Sequence, residues 1–84
     1  MFSFFHLFIK VDCPYCKLAA ELLESSSTEY VVTVVDNSVG YHEMVKKQFN
    51  HPTVPVVLEC DSRGKMDLVG GFTELEKLLE KRGR

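Results

Sequence analysis

Eighty-four residues, 45% hydrophobic and 26% charged, suffice for a single small domain, expected to span 1–84 around one core. A formal charge of −2 with scattered Lys and Arg leaves no electrostatic footprint for nucleic acid, and no apolar run approaches the ~20 residues that cross a bilayer. Three cysteines make no even disulfide framework, and the apolar segment MFSFFHLFIKV has neither a leading basic residue nor a small-residue cleavage site, so a reducing compartment, the cytoplasm, is expected.

In chain order, the aromatic and β-branched residues of Phe5 to Val11 predict a buried strand. Pro14 suits a first helical position, and Leu18, Ala19, Leu22 and Leu23 predict an apolar helical stripe, with Lys17, Glu21 and Glu24 opposite. Ser25 to Thr28 ends that helix, and Tyr30 to Asp36 is a β-branched second strand. A second helix is expected over Gly40 to Phe49, with Tyr41, Met44, Val45 and Phe49 inward and Lys46 and Lys47 outward. NHPTVP breaks it. Val56 to Cys60, the turn DSRG and KMDLV form a predicted hairpin, closed by Gly70 and Gly71. A last helix is expected from Thr73, with Thr73 and Glu76 as its capping box. The order β-α-β-α-β-β-α implies an α/β fold: a parallel βαβ unit followed by an antiparallel hairpin and a helix.

Chemistry concentrates in Cys13-Pro14-Tyr15-Cys16, where the first strand gives way to the first helix. A zinc site needs four ligands, and Cys60, His6, His42 and His51 form no second short-spaced pair, so no metal is expected. A structural staple closing so short a loop removes little unfolded-state entropy. Redox chemistry has a mechanism. Cys13 falls at the N-cap of the helix that Pro14 begins, where backbone N–H groups and the helix dipole stabilise a thiolate, the reactive form. Lys10 adds a positive charge nearby. Cys16, one turn deeper beside the apolar stripe, ionises less readily, so one thiol attacks and the other resolves.

FIKVDCPYC (Phe8 to Cys16), TVPVV (Thr53 to Val57) and GGFTEL (Gly70 to Leu75) resemble, in order and spacing, the signature segments of dithiol glutaredoxins over nearly the whole chain. The resemblance implies a thioredoxin-like fold, a four-stranded mixed sheet with three helices. It implies reduction of protein–glutathione mixed disulfides and protein disulfides, with glutathione as co-substrate and ribonucleotide reductase among the clients, by a monomer. Carried over by position, Cys13 is the nucleophile and Cys16 the resolving thiol. Lys10 meets the glycine carboxylate of glutathione and Tyr15 flanks its groove. Val54 pairs its backbone with the cysteinyl unit, and the Val54–Pro55 bond is cis. Phe72 and Thr73 offer N–H groups to the γ-glutamyl carboxylate, consistent with the anion affinity of a helix N-terminus. Three features depart from the family. Pro52 stands where Arg or Lys often precedes TVP, the hairpin ECDSRGKMD is longer, and Lys46, Lys47 and His51 all compete for the second-helix position that grips the glycine end.

Plainer readings stand beside these. Lys10 without the resemblance is a solvated lysine, Tyr15 a packing residue, Thr73 an N-cap and Cys60 a half-buried spare thiol. The histidines are expected outside the chemistry. Two rival functions share the CxxC: a thioredoxin-type reductase recharged by a flavoenzyme, and an iron–sulfur carrier using Cys13 and glutathione between protomers. The absence of Trp and the GG-x-T segment oppose the first, and Cys16 opposes the second.

Overall fold

Alternation along β1 (Ser3–Ile9) decides the layering. In the computed structural model, which describes residues 3–37, 39–51 and 53–82, Phe5, Leu7 and Ile9 point to one face of the sheet and Phe4 and Phe8 to the other. The first face packs on α1 (Pro14–Ser25) and α3 (Phe72–Lys81) through Ala19, Leu23, Leu75 and Leu79. The second is covered by α2 (Val39–Gln48) through Val45, with Tyr41 and Phe49 beside it. β3 (Val56–Asp61) behaves likewise, sending Val57 to the first core and Val56, Leu58 and Cys60 to the second. A strand buried on both faces needs apolar residues at nearly every position, which is why VVL reads as an unbroken run. The fold class is as expected: a mixed sheet in the order β2-β1-β3-β4, with β2 (Tyr30–Val34) parallel to β1 and β4 (Met66–Gly70) antiparallel to β3. No helix among the described residues is long and apolar enough to cross a membrane.

Several local expectations need correction. β1 stops at Ile9 rather than Val11, because Lys10 to Asp12 leave the sheet in a turn held by the Val11 N–H donating to the Asp36 carboxylate at 3.2 and 3.3 Å. β2 likewise ends at Val34, although the Val35 N–H still donates to the Ile9 carbonyl at 2.9 Å. Leu18 and Met44, expected inward, are 42% and 48% exposed. At about 100° per residue, Leu18 lies roughly 140° from the line through Cys16, Ala19 and Leu23, and Met44 roughly 100° from Val45. Neither stripe is wide enough to include them. α2 begins at Val39 and ends at Gln48, so Phe49 packs from just beyond the helix. Pro52 lies outside the described residues.

The hairpin turn matches DSRG. Asp61 Oδ1 accepts from the Arg63 and Lys65 N–H groups at 2.9 and 3.0 Å, and Gly64 takes the left-handed φ of 89° that completes the reversal. A bidentate ion pair from Arg82 to Glu59, at 2.7 and 2.9 Å, then ties the end of α3 to β3.

Candidate active site

The turn that leaves β1 delivers Cys13 to the N-cap of α1 in an extended conformation (φ −133°, ψ 105°), and Pro14 occupies the first helical turn without wasting an N–H. The Cys16 N–H donates to Cys13 Sγ at 3.2 Å. Cys13 is half-buried, whereas Cys16 is 1% exposed, and the two form a disulfide with Cα atoms 5.2 Å apart. The pair thus has an outer sulfur within reach of solvent and an inner one against the core. The third cysteine, Cys60, is a buried free thiol on β3, pushed to a higher pKa by burial and then by the charges of Asp61 and Glu59.

Beside the cysteines runs a groove of about 330 Å³ lined by Tyr15, His51, Thr53, Val54, Pro55 and the segment Gly71 to Glu74. Its floor is the loop entering β3, where the Val54–Pro55 peptide is cis. One wall is the start of α3, where Phe72 meets Tyr15 with ring centroids 5.9 Å apart. Tyr15 is 59% exposed, so its other face is open to whatever enters the groove.

The α3 wall differs in detail from the capping box expected at Thr73 and Glu76. The helix starts one residue earlier, at Phe72, with Gly71 as its N-cap. Gly71 has no side chain to contribute, so the cap is half a box: its N–H donates to Glu74 Oε1 at 2.7 Å. That bond holds the Glu74 carboxyl below the usual carboxylate range. Gly70 cannot be another residue without cost. Its φ is 127°, and a Cβ there would stand 2.8 Å from Glu74 Cγ.

Of the residues singled out in the sequence, Tyr15, Val54, Pro55, Phe72 and Thr73 converge on this groove, which begins two residues after Cys13. Lys10 does not line it, but sits exposed on the β1–α1 turn. Among the three competitors for the second-helix role, only His51 reaches the groove; Lys46 pairs with Glu43 at 3.2 Å, and Lys47 joins it on another face of α2. Thr53, Gly71 and Glu74 also line the groove; they fall within the segments TVPVV and GGFTEL but were not among the expected site residues. The spacing of Gly71 and Glu74 was the available signal for the last two.

Comparison with known proteins bears on this arrangement. The glutaredoxin family model matches residues 6–59, well over half of the chain. Glutaredoxin 3 of Escherichia coli K12 is 28% identical, in an alignment covering 84% of this chain and 94% of that protein. Among solved structures, glutaredoxin 1 of Francisella tularensis, in complex with cacodylate, superposes with a TM-score of 0.75 at 21% identity, covering 95% of each chain. A buckwheat glutaredoxin–glutathione complex superposes with a TM-score of 0.73 at 20% identity, covering 94% of this chain and 70% of that one. With the fold shared at this level, and a vicinal pair of cysteines at the mouth of α1, the chain belongs to the glutaredoxin family of thiol–disulfide oxidoreductases.

Proposed function

We propose that this chain, acting as a single glutaredoxin unit over 1–84, reduces protein–glutathione mixed disulfides and protein disulfides at the expense of glutathione. The observation that carries the reading is the junction of two features. An outer Cys13 is served by a helix N-terminus and backed by a buried Cys16, and a groove of peptide dimensions opens beside it. In the reduced protein the Cys16 N–H and the α1 dipole favour a Cys13 thiolate.

That thiolate attacks the glutathionyl sulfur of a mixed disulfide. A Cys13–glutathione disulfide forms, the client's sulfur leaves as a thiolate, and solvent supplies its proton. A second glutathione thiolate then attacks the adduct, releasing glutathione disulfide and regenerating Cys13. With an internal protein disulfide, Cys13 becomes linked to the client and Cys16 attacks that bond. The client leaves as a dithiol, and two glutathiones reduce the Cys13–Cys16 disulfide. Lys10, on the β1–α1 turn outside the groove lining, takes the glycine carboxylate; in the groove, Tyr15 flanks the peptide, and Val54, ahead of Pro55, pairs with the cysteinyl backbone. Phe72 and Thr73 present first-turn N–H groups, which have no intrahelical acceptor, to the γ-glutamyl carboxylate.

The same reading makes the protein a cytoplasmic monomer without a metal cofactor and ribonucleotide reductase a candidate client. Turnover of a small glutathione mixed disulfide, coupled to glutathione reductase, tests it. Activity with glutathione is expected; activity only with a flavoenzyme reductant would replace it with a thioredoxin-type function.

A further inference from the structure

His51 lines the groove, against the start of α3, whereas Lys10 does not. Its Nδ1 is 2.7 Å from the Thr53 carbonyl oxygen, an acceptor only, so Nδ1 carries a proton and the ring is locked to its own loop. Cε1, the carbon bonded to both ring nitrogens, lies 3.7 Å from the point where a Cβ on Gly71 would stand, and Glu74 Oε1 lies 3.3 Å from the same point. Nε2, one bond from Cε1, is the nitrogen left for a ligand. The titratable groups that share the groove with this ring are the Glu74 carboxylate from α3, with the Lys77 charge acting on it, and the Tyr15 phenol from α1; from α2, the Lys46 carbonyl accepts the His51 N–H at 3.0 Å, while the Lys46 ammonium is engaged by Glu43. A carboxylate entering here meets the negative charge of Glu74, which helix N–H groups and the Lys77 ammonium offset in part. A second proton on His51 supplies a further positive charge and a donor.

We propose that His51 is a specificity residue, whose imidazolium Nε2 donates to the substrate carboxylate held at the α3 end of the groove. The inference rests on the glutathione reading, and the carboxylate is then that of the γ-glutamyl unit. As neutral imidazole, His51 keeps its bond to Thr53 but turns a lone pair toward the anion, so affinity falls as the proton is lost. Binding of an anion that engages only the protonated ring must in turn hold that proton more tightly.

S-methylglutathione, which cannot form a disulfide, is the probe, titrated against the reduced full chain at pH 6 and pH 8, on either side of the range where histidines change charge. Binding is expected to be roughly five- to tenfold tighter at pH 6, a charge-assisted bond discounted for an open groove. The ligand should also move the His51 titration, followed by NMR, to higher pH. His51→Gln should bind at both pH values as the wild type does at pH 8, and His51→Arg should keep tight binding at both. His51→Asn retains a donor for the Thr53 carbonyl but lacks the second nitrogen, and should behave as His51→Gln. Unchanged binding and pH dependence in His51→Gln would overturn the proposal, as would wild-type behaviour in His51→Asn or an unmoved His51 titration. A wild-type chain that reduces small disulfides but binds S-methylglutathione at neither pH would remove the glutathione reading itself.

Discussion

Glu74 reaches back one turn to take the Gly71 N–H at 2.7 Å, and the same side chain fills the space that a Cβ on Gly70 would need. The start of α3, and with it the groove wall, depends on this one carboxylate. Replacing Glu74 by Ala should cost roughly 0.5–1 kcal/mol, the worth of a helix-capping interaction. Gly70→Ala should cost more, about 1–3 kcal/mol, because it combines a left-handed backbone with a clash. Thermal unfolding of both variants gives the comparison; an unchanged melting temperature in Gly70→Ala would refute this account of the turn.

Acid sensitivity follows from the same carboxyl and from Glu59. Glu74 is held low by the Gly71 N–H, and Glu59 by its hydrogen bonds and then its charge interaction with Arg82. Groups whose folded pKa is depressed add stability above their unfolded pKa and lose it as pH falls through the folded value. Stability should therefore decline from just above the ordinary carboxylate range downward. Glu59→Gln should flatten part of that decline while costing at most about 1 kcal/mol at neutral pH, since the pair is partly solvated. Urea unfolding at several pH values measures it.

Cys13 and Cys60 should separate cleanly in reactivity. The first caps a helix and is partly open to solvent; the second is buried with a raised pKa. In the reduced protein, iodoacetamide at mildly acidic pH should label Cys13 first and leave Cys60 untouched until unfolding. Mass spectrometry that found Cys60 labelled first would contradict the assignment.

Cys16 divides the proposed chemistry in two. Buried one helical turn behind Cys13, it has a high effective concentration against any disulfide formed there. Cys16→Ser should keep activity on glutathione mixed disulfides and lose most activity on protein disulfides. It should also accumulate a Cys13–glutathione adduct, seen as a mass increase that reductant reverses. Loss of both activities with no adduct would favour a thioredoxin-type enzyme.

Lys10 stands apart from the groove, so its contribution should be electrostatic and confined to binding. Lys10→Ala should raise KM for a glutathione mixed disulfide several-fold with little change in kcat or melting temperature. An unchanged KM would leave Lys10 as a solvated lysine.

The places of the two paired cysteines were legible because Pro14 marks the helix start, which assigns Cys13 to the cap and Cys16 to the interior without further information. The central strands were legible for a similar reason: burial on both faces leaves few polar residues to confuse the pattern. Leu18 and Met44 misled because an apolar residue next to a stripe looks like part of it, and one residue is a rotation of about 100°. Thr73 misled because its own capping preference outweighed a glycine with no side chain to advertise. His51 could not be separated from Lys46 and Lys47 by any local rule. Its place depends on how the loop after α2 folds back over Thr53, a tertiary event with no periodicity.

β1 is paired on both sides, parallel to β2 and antiparallel to β3, and the turn carrying Cys13 grows directly from its end. Its amide protons can meet solvent only when two ladders part, whereas β2 and β4 each have an outer edge with no strand partner among the described residues. Native-state hydrogen exchange should therefore find the slowest amides in β1 and β3, opening only with the whole molecule, and faster ones along the outer strands. On that expectation the cysteine pair is rooted in the part of the chain that opens last. Repeated making and breaking of a disulfide at its tip can then proceed on a base that does not loosen with each cycle.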